Sequence, residues 1–153
     1  MKLSGIGVLL ALASPAYAQD LPPLTFTNAD SLVHEYAFQT FSAVAPEPME
    51  RDAVWIGEID LDLDGDLDFV AFGIGKGFCD AGGCLPYAFE SYNGDYTEMS
   101  VGRDGEDTRS LPDYWSSPGT LVNGHRVLHL EHPEYPERTA DYIYEFTDYV
   151  RAP

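Results

Sequence analysis

The stretch that organises this chain is Asp60-Leu61-Asp62-Leu63-Asp64-Gly65-Asp66-Leu67-Asp68. It lies between two apolar segments, 54–59 and 69–74, whose β-branched and aromatic residues are typical of strands. Aspartates occupy positions 1, 3, 5 and 9 of the stretch, and glycine occupies position 6. This register supplies the oxygen ligands that Ca²⁺ prefers, with the glycine at the sharp turn. The sequence therefore predicts a calcium loop between two strands.

The predicted ligands are the side chains of Asp60, Asp62, Asp64 and Asp68 and the backbone carbonyl of Asp66. An EF-hand would need helices on both sides and a glutamate at position 12, where this chain has Ala71. The stretch resembles instead the D-x-D-x-D-G-x-x-D calcium loops of FG-GAP and VCBS-type modules and other non-helical relatives of the EF-hand. The resemblance covers about ten residues. It therefore implies a metal site and not a whole fold.

A plain β-hairpin that turns at Asp64-Gly65 is the alternative to a metal loop. Such a hairpin would pair Leu61 with Asp68 and Ile59 with Val70. Each face of the ladder would then mix aspartates with large apolar side chains, because paired residues share a face. Neither face could be buried cleanly, and this conflict favours the metal loop.

The N-terminal residues have the organisation of a secretory signal peptide. Lys2 precedes an apolar run, 6–13, and Ala16-Tyr17-Ala18 has the small-residue pattern of a cleavage site. The run is too short to span a membrane. We expect cleavage after Ala18 and a periplasmic or secreted protein. Residues 19–153 then form a single domain with no membrane span.

The chain is strongly acidic, with 26 Asp and Glu residues against eight Lys and Arg residues and a net charge of −18. Such a field opposes binding to nucleic acid and to anionic membrane surfaces, and it attracts metal cations or a basic partner. Solubility explains the charge outside the loop equally well. The sequence contains no nucleophile motif and no Walker loop, so we predict that the protein is not an enzyme.

Cys79 and Cys84 are the two cysteines of the sequence. An exported protein meets oxidising conditions, so we expect a disulfide between them, and the C-x-x-C spacing of redox pairs is absent. A closed loop this short adds only about 2 kcal/mol in the chain-entropy model. The acidic loop followed by C-x-x-G-G-C looks like a type of small exported bacterial protein. That resemblance implies no activity.

One helix is predicted from about Ser31 to Ala43, capped by Asn28 or Asp30 and ended by Pro46. The remaining periodicity predicts strands at 54–59, 69–74, 87–92, 96–101, 121–122, 125–130 and 141–146. Asn93-Gly94 and Asn123-Gly124 are strong hairpin signals. We predict an α+β domain, in which an antiparallel meander of about six strands carries one N-terminal helix on a face.

Three histidines, His125, His129 and His132, raise the question of a zinc site. On one continuous strand His125 and His129 would lie about 13 Å apart, too far to share an ion. We therefore predict ordinary exposed or half-buried histidines.

The long polar segment 102–119 contains Asp113-Tyr114-Trp115, which we predict to be an exposed contact for a partner. Two functional hypotheses follow. The first is a monomeric periplasmic protein that binds a mainly structural Ca²⁺ without catalysis. The second is an acidic inhibitor or binding module for a cationic envelope-active protein, such as a lysozyme-like hydrolase.

Overall fold

The computed structural model describes residues 24–102 and 106–153. The predicted signal peptide and its cleavage site lie outside these residues. The described chain contains one α-helix, α1 (Leu32–Val44), and no helix in it is long and apolar enough to cross a membrane. Its strands are β1 (Phe26–Thr27), β2 (Val54–Ile59), β3 (Asp68–Gly73), β4 (Cys79–Asp80), β5 (Gly83–Cys84), β6 (Pro86–Tyr92), β7 (Asp95–Met99), β8 (Trp115–Ser116), β9 (Leu121–Val122), β10 (His125–Arg126), β11 (Leu128–Leu130), β12 (Ala140–Glu145) and β13 (Asp148–Arg151).

The main sheet is an antiparallel meander in the order β1-β2-β3-β6-β7, and α1 packs on one of its faces. The helix contributes Val33, Ala37 and Phe41 to a buried cluster with apolar residues of β2, β3 and β6. Edge-to-face aromatic contacts, such as Phe41 with Tyr87 at 5.3 Å between ring centroids, fix the helix on the sheet. The predicted α+β class and the helix on a sheet face are confirmed.

The helix begins one residue later than its predicted start. Ser31 is the N-cap, and its hydroxyl accepts the backbone N–H of His34 at 3.0 Å, so the predicted caps at Asn28 and Asp30 are wrong. The buried apolar face of the helix is also narrower than its sequence suggests, because Leu32, although apolar, is 91% exposed. A buried imidazole replaces it on the inner face, where His34 lies between backbone carbonyls of Arg51 and Val54.

A second sheet, in the order β13-β12-β11-β8, covers the other face of the main sheet. Its buried side chains meet those of the main sheet in a second core cluster, which includes Val70, Phe72, Leu128, Leu130, Tyr142 and Tyr149. All six residues of β3 are buried, because this strand has a helix over one face and a sheet over the other. The sequence predicted one meander and did not separate the second sheet from it.

Both Asn-Gly hairpins are confirmed. Asn93 and Gly94 have φ values of 53° and 85°, and Asn123 and Gly124 have values of 54° and 84°, as the tight two-residue turn requires. The predicted strand at 125–130 is broken at Val127, however. Its first part pairs with β9 and its second part with β8 and β12, so His125 and His129 belong to different sheets.

Candidate metal centre

The acidic stretch forms a loop and not a hairpin turn. Ile59 pairs with Asp68 as the last rung between β2 and β3, and residues 60–67 stand outside the ladder. Leu63 and Gly65 have positive φ values of 63° and 95°, which fold the chain back on itself. The aspartates at 60–66 therefore do not share a face of the ladder with large apolar side chains, as they would in a hairpin.

Aspartate side chains stabilise the shape of the loop by accepting hydrogen bonds from its backbone N–H groups. The N–H of Gly65 donates to Oδ2 of Asp60 at 3.1 Å, across the turn. Asp62 accepts the N–H of Asp64 at 3.1 Å, and Asp64 accepts the N–H of Asp66 at 2.8 Å. The side chains of Asp60, Asp62 and Asp64 are thus oriented by the fold of the loop itself.

Asp68 is a buried carboxylate at the end of the loop, with 1% of its surface exposed. Its oxygens accept the N–H groups of Leu61 at 2.6 Å and of Ser91 at 2.7 Å. Burial nevertheless raises the pKa of Asp68 to about 6, and the nearby charges of Asp62 and Glu90 act in the same direction. The backbone donors therefore only partly offset the loss of water around this charge.

Three of the predicted ligands come together. Carboxylate oxygens of Asp60, Asp62 and Asp68 lie within 4.8 Å of one another. Oδ1 of Asp60 is buried and has no hydrogen-bond partner among the described residues. The side chains of Asp64 and Asp66 are exposed and stand outside this group.

The two-stranded β9–β10 sheet and the core anchor the loop through Arg126 and Leu61. Leu61 is fully buried in the core, and its carbonyl accepts the N–H of Arg126 at 2.7 Å. The Arg126 side chain is also buried and interacts electrostatically with Asp60. The Tyr149 hydroxyl donates to the Arg126 carbonyl at 3.0 Å. Sequence reasoning missed this support, because Arg126 follows an ordinary hairpin signal and carries no motif.

A second group of potential ligands adjoins the loop and was also missed. Asp62, Glu90 and His125 bring one ligand atom each to within 4.8 Å of the others. Nε2 of His125 lies 3.2 Å from Oε1 of Glu90, and its ring stacks on Tyr144 at 3.6 Å between centroids. The sequence predicted no site here, because Glu90 and His125 are 35 residues apart.

Cys79 and Cys84 form the predicted disulfide, which closes the short ribbon of β4 and β5. This ribbon is not a free tip, because Cys84 pairs with Ser110 through two backbone hydrogen bonds of 2.9 and 3.0 Å. Gly82 donates its N–H to Asp80 at 2.7 Å within the turn.

The predicted partner contact at Asp113, Tyr114 and Trp115 is only partly on the surface. Asp113 is exposed and Tyr114 is half-buried, whereas Trp115 is 3% exposed. The indole packs in the core beside Tyr142 and donates its N–H to the Ser110 hydroxyl. The expectation of an exposed tryptophan is therefore wrong, because β8 joins the second sheet and turns this side chain inward.

The chain matches no known family model, no curated protein and no solved structure.

Proposed function

We propose that the protein is an exported calcium-binding protein whose ion is mainly structural. The buried Oδ1 of Asp60 carries this proposal, because it faces no hydrogen-bond donor in the described chain and lies in a group with two further carboxylates. A buried carboxylate oxygen without a hydrogen-bond partner is unfavourable. Ca²⁺ bound to this oxygen would remove that penalty and the repulsion within the group.

The donor set fits calcium better than a softer metal. Asp60, Asp62 and Asp68 supply hard carboxylate oxygens, and Asp64 and the Asp66 carbonyl complete the register predicted from the sequence. Asp68 remains able to bind a cation, because each oxygen of an ionised carboxylate has two lone pairs and uses one of them for a backbone N–H. The ion would hold together the loop that joins two buried strands.

Calorimetric titration of the mature protein with calcium tests the proposal. We expect one site per chain, with a Kd in the range of about 10⁻⁴ to 10⁻³ M that is common in extracellular modules. Asp60→Asn should abolish the binding. Asp95→Asn, which changes an exposed aspartate of β7, is the matched control and should leave the binding unchanged. Absence of heat at millimolar calcium, or equal binding by both variants, would contradict the proposal.

The net charge of −18 supports a second proposed function, the binding of a basic envelope protein such as a lysozyme-like hydrolase. On the surface described here, exposed Asp113 and Glu131 flank a cavity that Tyr114 and His132 also line. Surface plasmon resonance against a panel of lysozymes should show an association rate that falls steeply with salt. No binding at low ionic strength would exclude this function.

A further inference from the structure

Three elements that are distant in sequence bring a histidine and two carboxylates together beside the acidic loop. His125 begins β10, Glu90 lies on β6, and Asp62 lies in the loop after β2. One ligand atom from each lies within 4.8 Å of the other two. We propose that Asp62, Glu90 and His125 bind a divalent transition metal ion of the zinc type. This site goes beyond the proposed calcium function, because two of its three ligands are outside the calcium loop.

The surroundings of His125 are compatible with a metal ion at Nε2. Nδ1 lies 3.4 Å from the backbone carbonyl of Asn123, which only accepts hydrogen bonds, so a ring that carries its proton on Nδ1 has an acceptor there. In that tautomer Nε2 presents its lone pair toward Glu90. A metal-bound histidine characteristically donates its other N–H to a carbonyl or carboxylate in this way. Two lone pairs that face each other need a proton or a cation between them.

The separation of the His125 and Glu90 ligand atoms is compatible with a shared ion. Zinc binds histidine nitrogen and carboxylate oxygen at about 2.0–2.2 Å, which places neighbouring ligand atoms about 3.0–3.5 Å apart in octahedral or tetrahedral geometry. The separation of 3.2 Å between Nε2 of His125 and Oε1 of Glu90 falls in that range. Three protein ligands leave at least one position for water.

The ligands are also held in place before any ion binds. The imidazole of His125 stacks on Tyr144, and the Asn123 side chain donates to the Tyr144 carbonyl at 2.8 Å, which ties the β9–β10 ribbon to β12. Glu90 lies on β6, where it pairs with Thr97 of the neighbouring strand β7. The His125 side chain is 11% exposed and that of Glu90 is 25% exposed, so an ion can enter from solvent into a largely desolvated site.

A simple ion pair between His125 and Glu90 is the competing explanation. Such a pair accounts for the 3.2 Å contact of His125 with Glu90, but not for the ligand atom of Asp62 that lies within 4.8 Å of both. The protein contains a natural comparison, because His129 and Asp141 form a pair at 2.6 Å. No third ligand accompanies that pair among the described residues, so it shows how an ordinary histidine–carboxylate pair is built here.

Titration of the mature protein with Zn²⁺ tests the proposal, in buffer that contains saturating calcium. Binding is followed by calorimetry and by ¹⁵N NMR shifts of the histidine rings. We expect one zinc per chain and a large shift of the His125 Nε2 resonance alone. His125→Gln and Glu90→Gln should each weaken the binding about tenfold or more, since they remove a direct ligand and loss of an outer partner already costs this much. His129→Gln should leave it unchanged.

The outcomes separate this site from the calcium site. Asp64→Asn should weaken calcium and spare zinc, whereas Glu90→Gln should weaken zinc and spare calcium. Asp62→Asn should weaken both, because Asp62 belongs to both groups. Zinc binding that survives His125→Gln, that is lost equally in His129→Gln, or that is absent at micromolar zinc would overturn the zinc site and leave the calcium proposal intact.

Discussion

At the scale of single residues, Leu61 connects the loop to the core. It is fully buried, whereas the other residues of the loop, 60 and 62–67, are half-buried or exposed. Its N–H donates to Asp68 and its carbonyl accepts the N–H of Arg126. A leucine at position 2 of the loop therefore places the aspartates on either side of it at fixed positions.

Leu61→Ala should destabilise the fold by about 2–5 kcal/mol, because it removes a buried isobutyl group and leaves a cavity. Calcium affinity should fall as well, since Asp60 and Asp62 lose their shared anchor. Urea unfolding and calcium titration measure the two effects. Leu67→Ala is the matched control in the same loop, because Leu67 is 51% exposed, and its effect should stay within about 0.5 kcal/mol. Equal losses in both variants would show that Leu61 is not the anchor.

At the scale of elements, the disulfide-bonded ribbon is docked on the segment that leads into β8. Cys84 pairs with Ser110, and Arg109 lies 3.0 Å from Asp80 of the ribbon. Gly83 makes this approach feasible. It has φ of +111°, and a Cβ atom at this position would lie 2.7 Å from the backbone nitrogen of Ser110.

Gly83→Ala should therefore lower the free energy of unfolding by more than backbone strain alone would. Gly94→Ala is the matched control, because Gly94 also has a positive φ, of +85°, but a Cβ there would meet nothing within 4 Å. We expect the control to lose about 1 kcal/mol from the left-handed backbone. Gly83→Ala should lose clearly more, because Ser110 must move. Thermal unfolding measures both losses, and equal values would mean that the contact with Ser110 adjusts freely.

At the scale of the whole molecule, stability depends on pH through the buried carboxyl of Asp68. Its pKa is raised from 3.8 to about 6, so the native state holds more protons than the unfolded state between these values. Stability in chelator therefore falls as the pH rises through this window, by an amount on the order of 3 kcal/mol from this group. Calcium would bind the ionised form and compete with the proton.

The calcium-induced rise in Tm should consequently be larger at pH 7.5 than at pH 5. Differential scanning calorimetry with calcium and with chelator at both pH values measures this difference. In Asp68→Asn the calcium effect should be small at both pH values, because the ligand charge is gone. A calcium effect in the natural protein that is the same at both pH values would exclude Asp68 as a ligand.

The sequence by itself determined the local features of this fold. The helix at 31–43, the strands that flank the loop and both Asn-Gly turns were predictable, because periodicity and turn chemistry act over a few neighbouring residues. The departure of the aspartates at 60–66 from the ladder was predictable for the same reason. The disulfide followed from an even cysteine count in a chain that is predicted to be exported.

Only the tertiary structure decided which distant residues meet. Because the strand is broken at Val127, His125 lies beside Glu90 and His129 lies beside Asp141, although one strand had been predicted through both histidines. The same packing turns Trp115 inward. These contacts depend on the pairing of two sheets and on the layer that covers each face. Local periodicity carries no information about such pairing, because the same alternating strand can bury its apolar face against a helix or against a second sheet.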